Sequence, residues 1–461
     1  MKARQQHPLI VGTFILTATG IVSRLIGFVY RIYLSRLFGE EGMGIYQLLS
    51  PVLSLSFSLT AAGYQTAISK LVAEQSARQK APSLRPLAAG LSISLPLSLA
   101  CNAVLFLFAE EIAGSLLHEP RTCAMLRILS FSIPLGTVHA CINGYFYGIK
   151  KAGIPAGSQL LEQITRVGCV YIVSAYFLSL GRQPSISVAV LGLTVGEFFS
   201  MLMTILAICP RLKKVRFSGS PSLFGKGGSL FAGASASCAF AYGRLLSMAL
   251  PLTANRIVLN LLQSVESISI PAALRGYGYD NVTALSVYGV LTGMAMPFIF
   301  FPNALTGSVA VMLLPIISEN YALGRMEAVK NAAVRTVKYC GLMGVCCMAG
   351  FVLLGRWAGG TLFHSPLAGY FIATLGFIAP FLYLDTTLSS ILQGLGLAGH
   401  IFVMNVICLL IRLGFVFLAV PRFGITGYLW GLLVSQLALG LLYLGCLYRF
   451  LKKEAPPART H

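Results

Sequence analysis

An all-α polytopic membrane fold is what this chain predicts, and three observations carry it. Of 461 residues, 56% are hydrophobic and only 10% charged, against about a quarter charged in soluble domains. The apolar residues come in runs of about 20, the length that crosses a hydrocarbon core. The basic residues sort to one side of these runs, as they do in cytoplasmic loops. Together these predict about twelve transmembrane helices.

The first span, 9–37, opens Leu9-Ile-Val-Gly-Thr-Phe-Ile-Leu and is too long, and too rich in arginine, to be a cleavable signal. It reads as a permanent first helix. Spans 43–69, 86–109, 122–148, 154–180 and 185–209 complete a first half. The stretch 210–239 is the longest polar interruption, Pro210-Arg211-Leu-Lys213-Lys214-Val-Arg216 followed by a Ser/Gly-rich run, and reads as a cytoplasmic linker. Spans 240–268, 284–314, 332–354, 367–393, 400–420 and 424–450 form the second half. Prolines such as Pro51, Pro96, Pro134, Pro251, Pro315 and Pro380 fall within or at the ends of helices and mark kinks. The domain division is therefore 1–209 for an N-terminal lobe, 210–239 for the linker, and 240–461 for a C-terminal lobe with a short basic tail.

A net charge of +20 invites a nucleic-acid reading, but the distribution opposes it. With both termini inside, every lysine from Lys2 to Lys453 falls in or beside a cytoplasmic segment, and the outer loops carry arginine alone. A basic inner face meeting anionic lipid accounts for the charge, so no nucleic-acid partner is expected. The cysteines are scattered through apolar stretches without a C-x-x-C, which supports neither a metal site nor a disulfide framework. Gly394-Leu-Gly396-Leu-Ala-Gly399 fits G-x-G-x-x-G, but it follows a membrane helix instead of a strand and is rejected as a dinucleotide site. No cofactor is expected.

The halves resemble each other. Phe131-Ser-Ile-Pro134 parallels Phe377-Ile-Ala-Pro380, Tyr147-Gly148 through Gly153 parallels Gln393-Gly394 through Gly399, and Ile164-Thr-Arg166-Val-Gly168 parallels Leu410-Ile-Arg412-Leu-Gly414, at a constant separation of 246 residues. A looser match pairs Gly44-Ile-Tyr46 with Ser286-Val-Tyr288. Equivalent helices are an even number apart, so both halves enter the membrane in the same sense. This is a parallel repeat: two six-helix lobes related by a pseudo-twofold axis along the membrane normal.

Gly42-Met-Gly44-Ile-Tyr46-Gln47-Leu48, Pro51 and Ala61-Ala-Gly63-Tyr-Gln-Thr-Ala67-Ile68-Ser69-Lys70-Leu71-Val72-Ala73-Glu74 closely resemble the stage V sporulation protein B group. That group belongs to the polysaccharide-exporter branch of the multidrug/oligosaccharidyl-lipid/polysaccharide (MOP) flippase superfamily. Ser23-Arg24-Leu25-Ile26-Gly27-Phe28 resembles the first-helix motif of the related peptidoglycan-precursor flippases. The resemblance implies a MATE/MOP-like fold, a multi-pass protein of the bacterial plasma membrane, and a role in polysaccharide or peptidoglycan biosynthesis, with sporulation as its setting. It departs from the precursor flippases in lacking their two further C-terminal helices and their arginines in the second and eighth helices.

Intramembrane charge is costly and marks function. Arg24 and Arg31, seven residues apart on one helical face, with Arg256, Arg166 and Arg412, make a cationic set suited to a diphosphate, since guanidinium forks bind phosphate bidentately. Glu162 sits four residues before Arg166, the favoured order for an intrahelical pair that would neutralise it. Arg256, Asn260 and Gln263 fall at helical spacing as a polar stripe for sugar hydroxyls, or as interhelical glue. Glu266, Glu162, Asp385 and Glu197 are the candidate ion or proton sites; Glu266 is equally readable as a partner of Arg275, and His139 reads as a satisfied bundle residue.

These readings point to a flippase moving a polyprenyl-diphosphate-linked saccharide from the inner to the outer leaflet by alternating access, acting as a monomer on membrane lipid and driven by a coupling cation or the membrane potential. No catalytic residue and no enzyme activity are expected. The alternatives are a cation-coupled multidrug exporter, which would need acids lining its cavity, a membrane glycosyl polymerase or ligase, which would need a sizeable outer loop, and a non-transporting scaffold for cell-wall assembly.

Overall fold

The structure, a computed structural model, describes residues 3–78, 83–217 and 236–454. Among these there are helices and turns but no strand. The helices fall into twelve segments: α1 (Ala3–Gln47), α2 (49–78), α3 (Arg85–Leu107), α4 (Cys123–Gly148), α5 (Gly153–Ser179), α6 (Ser187–Phe217), α7 (Ala236–Tyr277), α8 (281–322), α9 (Met326–Leu362), α10 (366–394), α11 (Ala398–Leu418) and α12 (Ile425–Glu454). The twelve spans expected from hydropathy correspond to them one to one.

The ends differ from the expectation in ways the residues explain. α1 passes through Gly39, whose φ of 69° and ψ of −171° break the helix; only glycine takes such a conformation cheaply. The linker expected at 210–239 is helical over 210–217, where α6 continues, and its centre, 218–235, lies outside the described residues, as does the basic tail 455–461. α8 is interrupted at Phe301–Pro302, where proline supplies no N–H to the helical ladder. Each half of α8 is by itself long and apolar enough to span a bilayer, whereas 17–47 and 49–76 pass that test only together across a 46° bend. α5 falls short on hydropathy because it carries Glu162, Gln163 and Arg166. Outside the membrane, Asp280 caps α8 by accepting from the Thr283 backbone N–H at 3.4 Å. Hydrogen bonding from Thr283 holds its carboxyl below the usual range.

The repeat read from sequence reappears in the backbone. Left-handed residues stand at His118 (φ 55°) and His364 (φ 53°), and again at Lys150 (φ 60°) and Gly396 (φ 81°). Both pairs keep the 246-residue separation. Gly148 lets α4 close on α2: a Cβ there would lie 2.7 Å from the Ser69 carbonyl oxygen. Its equivalent Gly394 does the same for α10 on α8, 3.0 Å from the Leu314 carbonyl oxygen. Gly192 and Gly196 bring α6 onto the α5 backbone at Arg166 and Glu162, and Gly427 packs at Ala419. Small residues at interfaces are how membrane helices gain contact when lipid is as apolar as their side chains.

The contacts divide the chain into two compact units, Met1–Gly27 with Leu48–Leu261, and Phe28–Gln47 with Leu262–His461. These differ from a division in chain order, because α1 and α7 each contribute one part to either unit. The first unit has a core of Ile68, Val72, Ile142, Phe146, Ile208 and Leu245; the second centres on Ile317, Val329, Leu388, Ile391, Leu392 and Tyr443. Outward-facing residues are apolar as well, with Leu353 78% and Leu107 70% exposed, as a lipid-facing surface requires. The ten cysteines whose side chains are described are free thiols.

Candidate functional site

Four of the five intramembrane arginines sort into two kinds. Arg24 on α1 and Arg256 on α7 are exposed and make no hydrogen bond or ion pair among the described residues. Both belong to the first unit. Leu25 and Val29 beside the one, and Val258 and Leu261 beside the other, are exposed apolar residues. A guanidinium on an apolar helix without a protein partner costs several kcal/mol in hydrocarbon, by about 2.5–3.5 on insertion scales, and is tolerated where it meets water or an anion. Arg31 is half-buried in the second unit, next to the buried Tyr30.

Arg166 and Arg412 hold repeat-equivalent places, and each is claimed by a glutamate. Arg166 pairs with Glu162 one turn earlier on α5. Arg412 on α11 donates through Nε to Glu266 Oε1 at 2.7 Å, and through Nη2 to the Tyr428 hydroxyl at 3.2 Å. Tyr428 donates to the same Glu266 oxygen at 2.7 Å. Both arginines, expected as anion ligands, thus have their charge balanced by a glutamate inside the protein. The same contacts correct the pairing considered for Glu266, which is 2% exposed and bound to Arg412. Arg275 instead donates to Asn281 Oδ1 at 2.9 Å. The triad ties α7, α11 and α12 together.

The polar stripe of α7 also divides. Asn260 donates to the Ser58 hydroxyl of α2 and so acts as interhelical glue. Gln263 is exposed and makes no hydrogen bond among the described residues. Asn255, beside Arg256 and not singled out in sequence, is exposed as well. Another arginine that sequence reading passed over, Arg36, donates to the Leu362 and Thr361 carbonyl oxygens, both at 2.8 Å. It thereby satisfies the open carbonyls at the end of α9.

Each acid within the membrane is paired or enclosed. Glu162 meets Arg166, Glu266 meets Arg412, and Glu197 lies 3.4 Å from His139 Nδ1. Asp385 on α10 is 6% exposed, faces Gly440 of α12, and neither of its oxygens has a hydrogen-bond partner. Among the described residues, Arg24, Asn255 and Arg256 are thus exposed polar groups of the first unit that no acid pairs with.

Known proteins resemble this chain over most of its length. A family model described as polysaccharide biosynthesis protein matches residues 9–321, and the chain belongs to that family. It is 31% identical over 443 residues to stage V sporulation protein B of Bacillus subtilis, covering 94% of this chain and 82% of that protein. It is 23% identical over 431 residues to the lipid II flippase MurJ of the same organism, covering 88% and 76%. Among solved structures, MurJ in an inward closed conformation superposes with a TM-score of 0.70 at 14% identity, covering 96% of this chain and 90% of that one. An inward-facing MATE multidrug transporter of the MOP superfamily gives 0.69 at 17%, covering 96% and 100%. The chain is a multi-span membrane protein with the fold of these structures.

Proposed function

We propose that the protein is a flippase that carries a polyprenyl-diphosphate-linked saccharide from the inner to the outer leaflet of a bacterial plasma membrane. The observation that carries this reading is the pair of exposed, unpartnered guanidiniums, Arg24 and Arg256, on apolar helices of one unit. They meet the diphosphate, while Asn255 beside Arg256 offers hydrogen bonds to sugar. The polyprenyl tail remains in the bilayer. The charge moves outward with the inside-negative potential, at roughly 2.3 kcal/mol per charge per 100 mV. Export of cationic drugs fits less well, because Glu162, Glu197, Glu266 and Asp385 are each paired or enclosed.

The test is flipping by the purified protein in vesicles. A fluorescent polyprenyl-diphosphate saccharide placed in one leaflet should become accessible to an impermeant quencher at a rate that scales with protein density. A rate no faster than in protein-free vesicles would overturn the reading and favour a scaffold.

The proposal places both termini in the cytoplasm. Single cysteines in a cysteine-free background then predict that position 150, in the α4–α5 turn, resists an impermeant thiol reagent in intact cells, whereas position 182, between α5 and α6, reacts. The reverse pattern would invert the topology and with it the direction of transport.

A further inference from the structure

Where α1 breaks at Gly39, the second unit holds an open pocket of about 370 Å³. Ser35, Arg36, Gly39 and Glu40 of α1 line it, with Met294 of α8 and with Phe363 and His364 from the turn between α9 and α10. That volume lies in the range of about 300–1,000 Å³ usual for small-ligand sites. None of these residues belongs to the proposed diphosphate site.

The break keeps two opposite charges of α1 apart. Arg36 and Glu40 are four residues apart, a spacing that makes neighbours on a continuous helix. Gly39, with φ 69° and ψ −171°, interrupts the helix between them. Arg36 commits Nε and Nη2 to the Leu362 and Thr361 carbonyl oxygens, and its Nη1 protons have no partner among the described residues. Among the same residues, neither the half-buried Glu40 carboxylate nor the exposed His364 ring makes a hydrogen bond or ion pair.

The internal repeat shows how the His364 ring comes to line the pocket. His118 and His364 are repeat-equivalent, and both are left-handed, with φ of 55° and 53°. In the first unit His118 Nδ1 donates to the Leu116 carbonyl oxygen at 3.2 Å. The equivalent carbonyl of the second unit is that of Leu362, and there Arg36 Nε takes the place of the histidine at 2.8 Å.

These groups suit one class of ligand. A guanidinium donates, a carboxylate accepts, and a neutral imidazole does one through each nitrogen. Met294 and Phe363, 1% and 3% exposed, add an apolar wall. A sugar matches this set, since its hydroxyls both donate and accept and its ring carries a C–H face. A diphosphate does not, because the Glu40 carboxylate would repel it.

We propose that this pocket is a saccharide-binding site on the outer side of the membrane. Arg36 Nη1, Glu40 and His364 hold sugar hydroxyls there, and Phe363 and Met294 take the C–H face. The outer placement and the lipid origin of the sugar rest on the flippase reading, in which α1 and α9 both end outside; the ligand class rests on the pocket itself.

The test is binding, measured without transport. In the full-length protein in nanodiscs, with 13C-labelled methionine methyls, the Met294 signal is identified by its loss in Met294→Leu. A polyprenyl-diphosphate disaccharide should shift that signal saturably, and the same lipid without its sugar should leave it in place. Glu40→Ala and His364→Ala should each weaken the binding several-fold; should either variant not fold, glutamine at that position carries the test. A Met294 signal that the saccharide lipid does not move, or that both lipids move alike, would overturn the site. Wild-type affinity in both variants would do the same. Vesicles that show no flipping would remove the flippase reading and leave this binding measurement standing.

Discussion

Alanine at Arg24 or at Arg256 is expected to reduce flipping roughly 10- to 100-fold, the equivalent of losing a charge-assisted hydrogen bond of about 1.5–3 kcal/mol. The amount of folded protein in the membrane should stay close to wild type. Neither guanidinium has a partner among the described residues, so its removal leaves no buried acid behind. Lysine at either position should restore part of the rate, because an ammonium keeps the charge and loses the bidentate fork. Membrane abundance and flipping must be measured on the same preparations. A fall in abundance that accounts for the loss of flipping would show that these arginines are structural.

Arg412 and Glu266 should behave in the opposite way. Removing one member of a buried pair costs about 3–5 kcal/mol, because the other is left uncompensated. The cost should be unequal. Glu266 is 3% exposed at its side chain and Arg412 is 21% exposed, so a stranded Arg412 has some access to water and a stranded Glu266 has almost none. Arg412→Ala is therefore the more damaging change, and should leave little monodisperse protein on size exclusion. The joint replacement Glu266→Gln with Arg412→Met should recover most of the folded fraction, since both ions are then gone. Equal tolerance of Arg412→Ala and Arg24→Ala would remove the distinction between structural and substrate-facing arginines.

That distinction marks where sequence reading stopped. The helices were legible because hydropathy and length set a membrane span, and the repeat was legible because its residues keep a constant spacing. The Glu162–Arg166 pair was visible as well, since an i, i+4 pair lies on one helix. Arg412 was not: its partner is 146 residues away on another helix, and no local pattern announces it. The α7 stripe looked uniform because spacing reports a shared face but not which neighbour meets each residue. Only packing tells Asn260, bound to Ser58, from Gln263. His139, which reads in sequence as a satisfied bundle residue, does meet Asn143, Ser158 and Ser200. The division of α1 and α7 between the two units has no signature in composition, because both helices run on through it.

The central claim is that Arg24 and Arg256 handle an anionic lipid headgroup. The most direct measurement is flipping of a polyprenyl-diphosphate saccharide by the purified Arg24→Ala, Arg256→Ala double variant, reconstituted at the same density as the wild type. The account predicts that the variant inserts normally and that its flipping falls to the rate of protein-free vesicles. Wild-type flipping by the well-folded double variant would contradict it, and would mean that the diphosphate is held elsewhere.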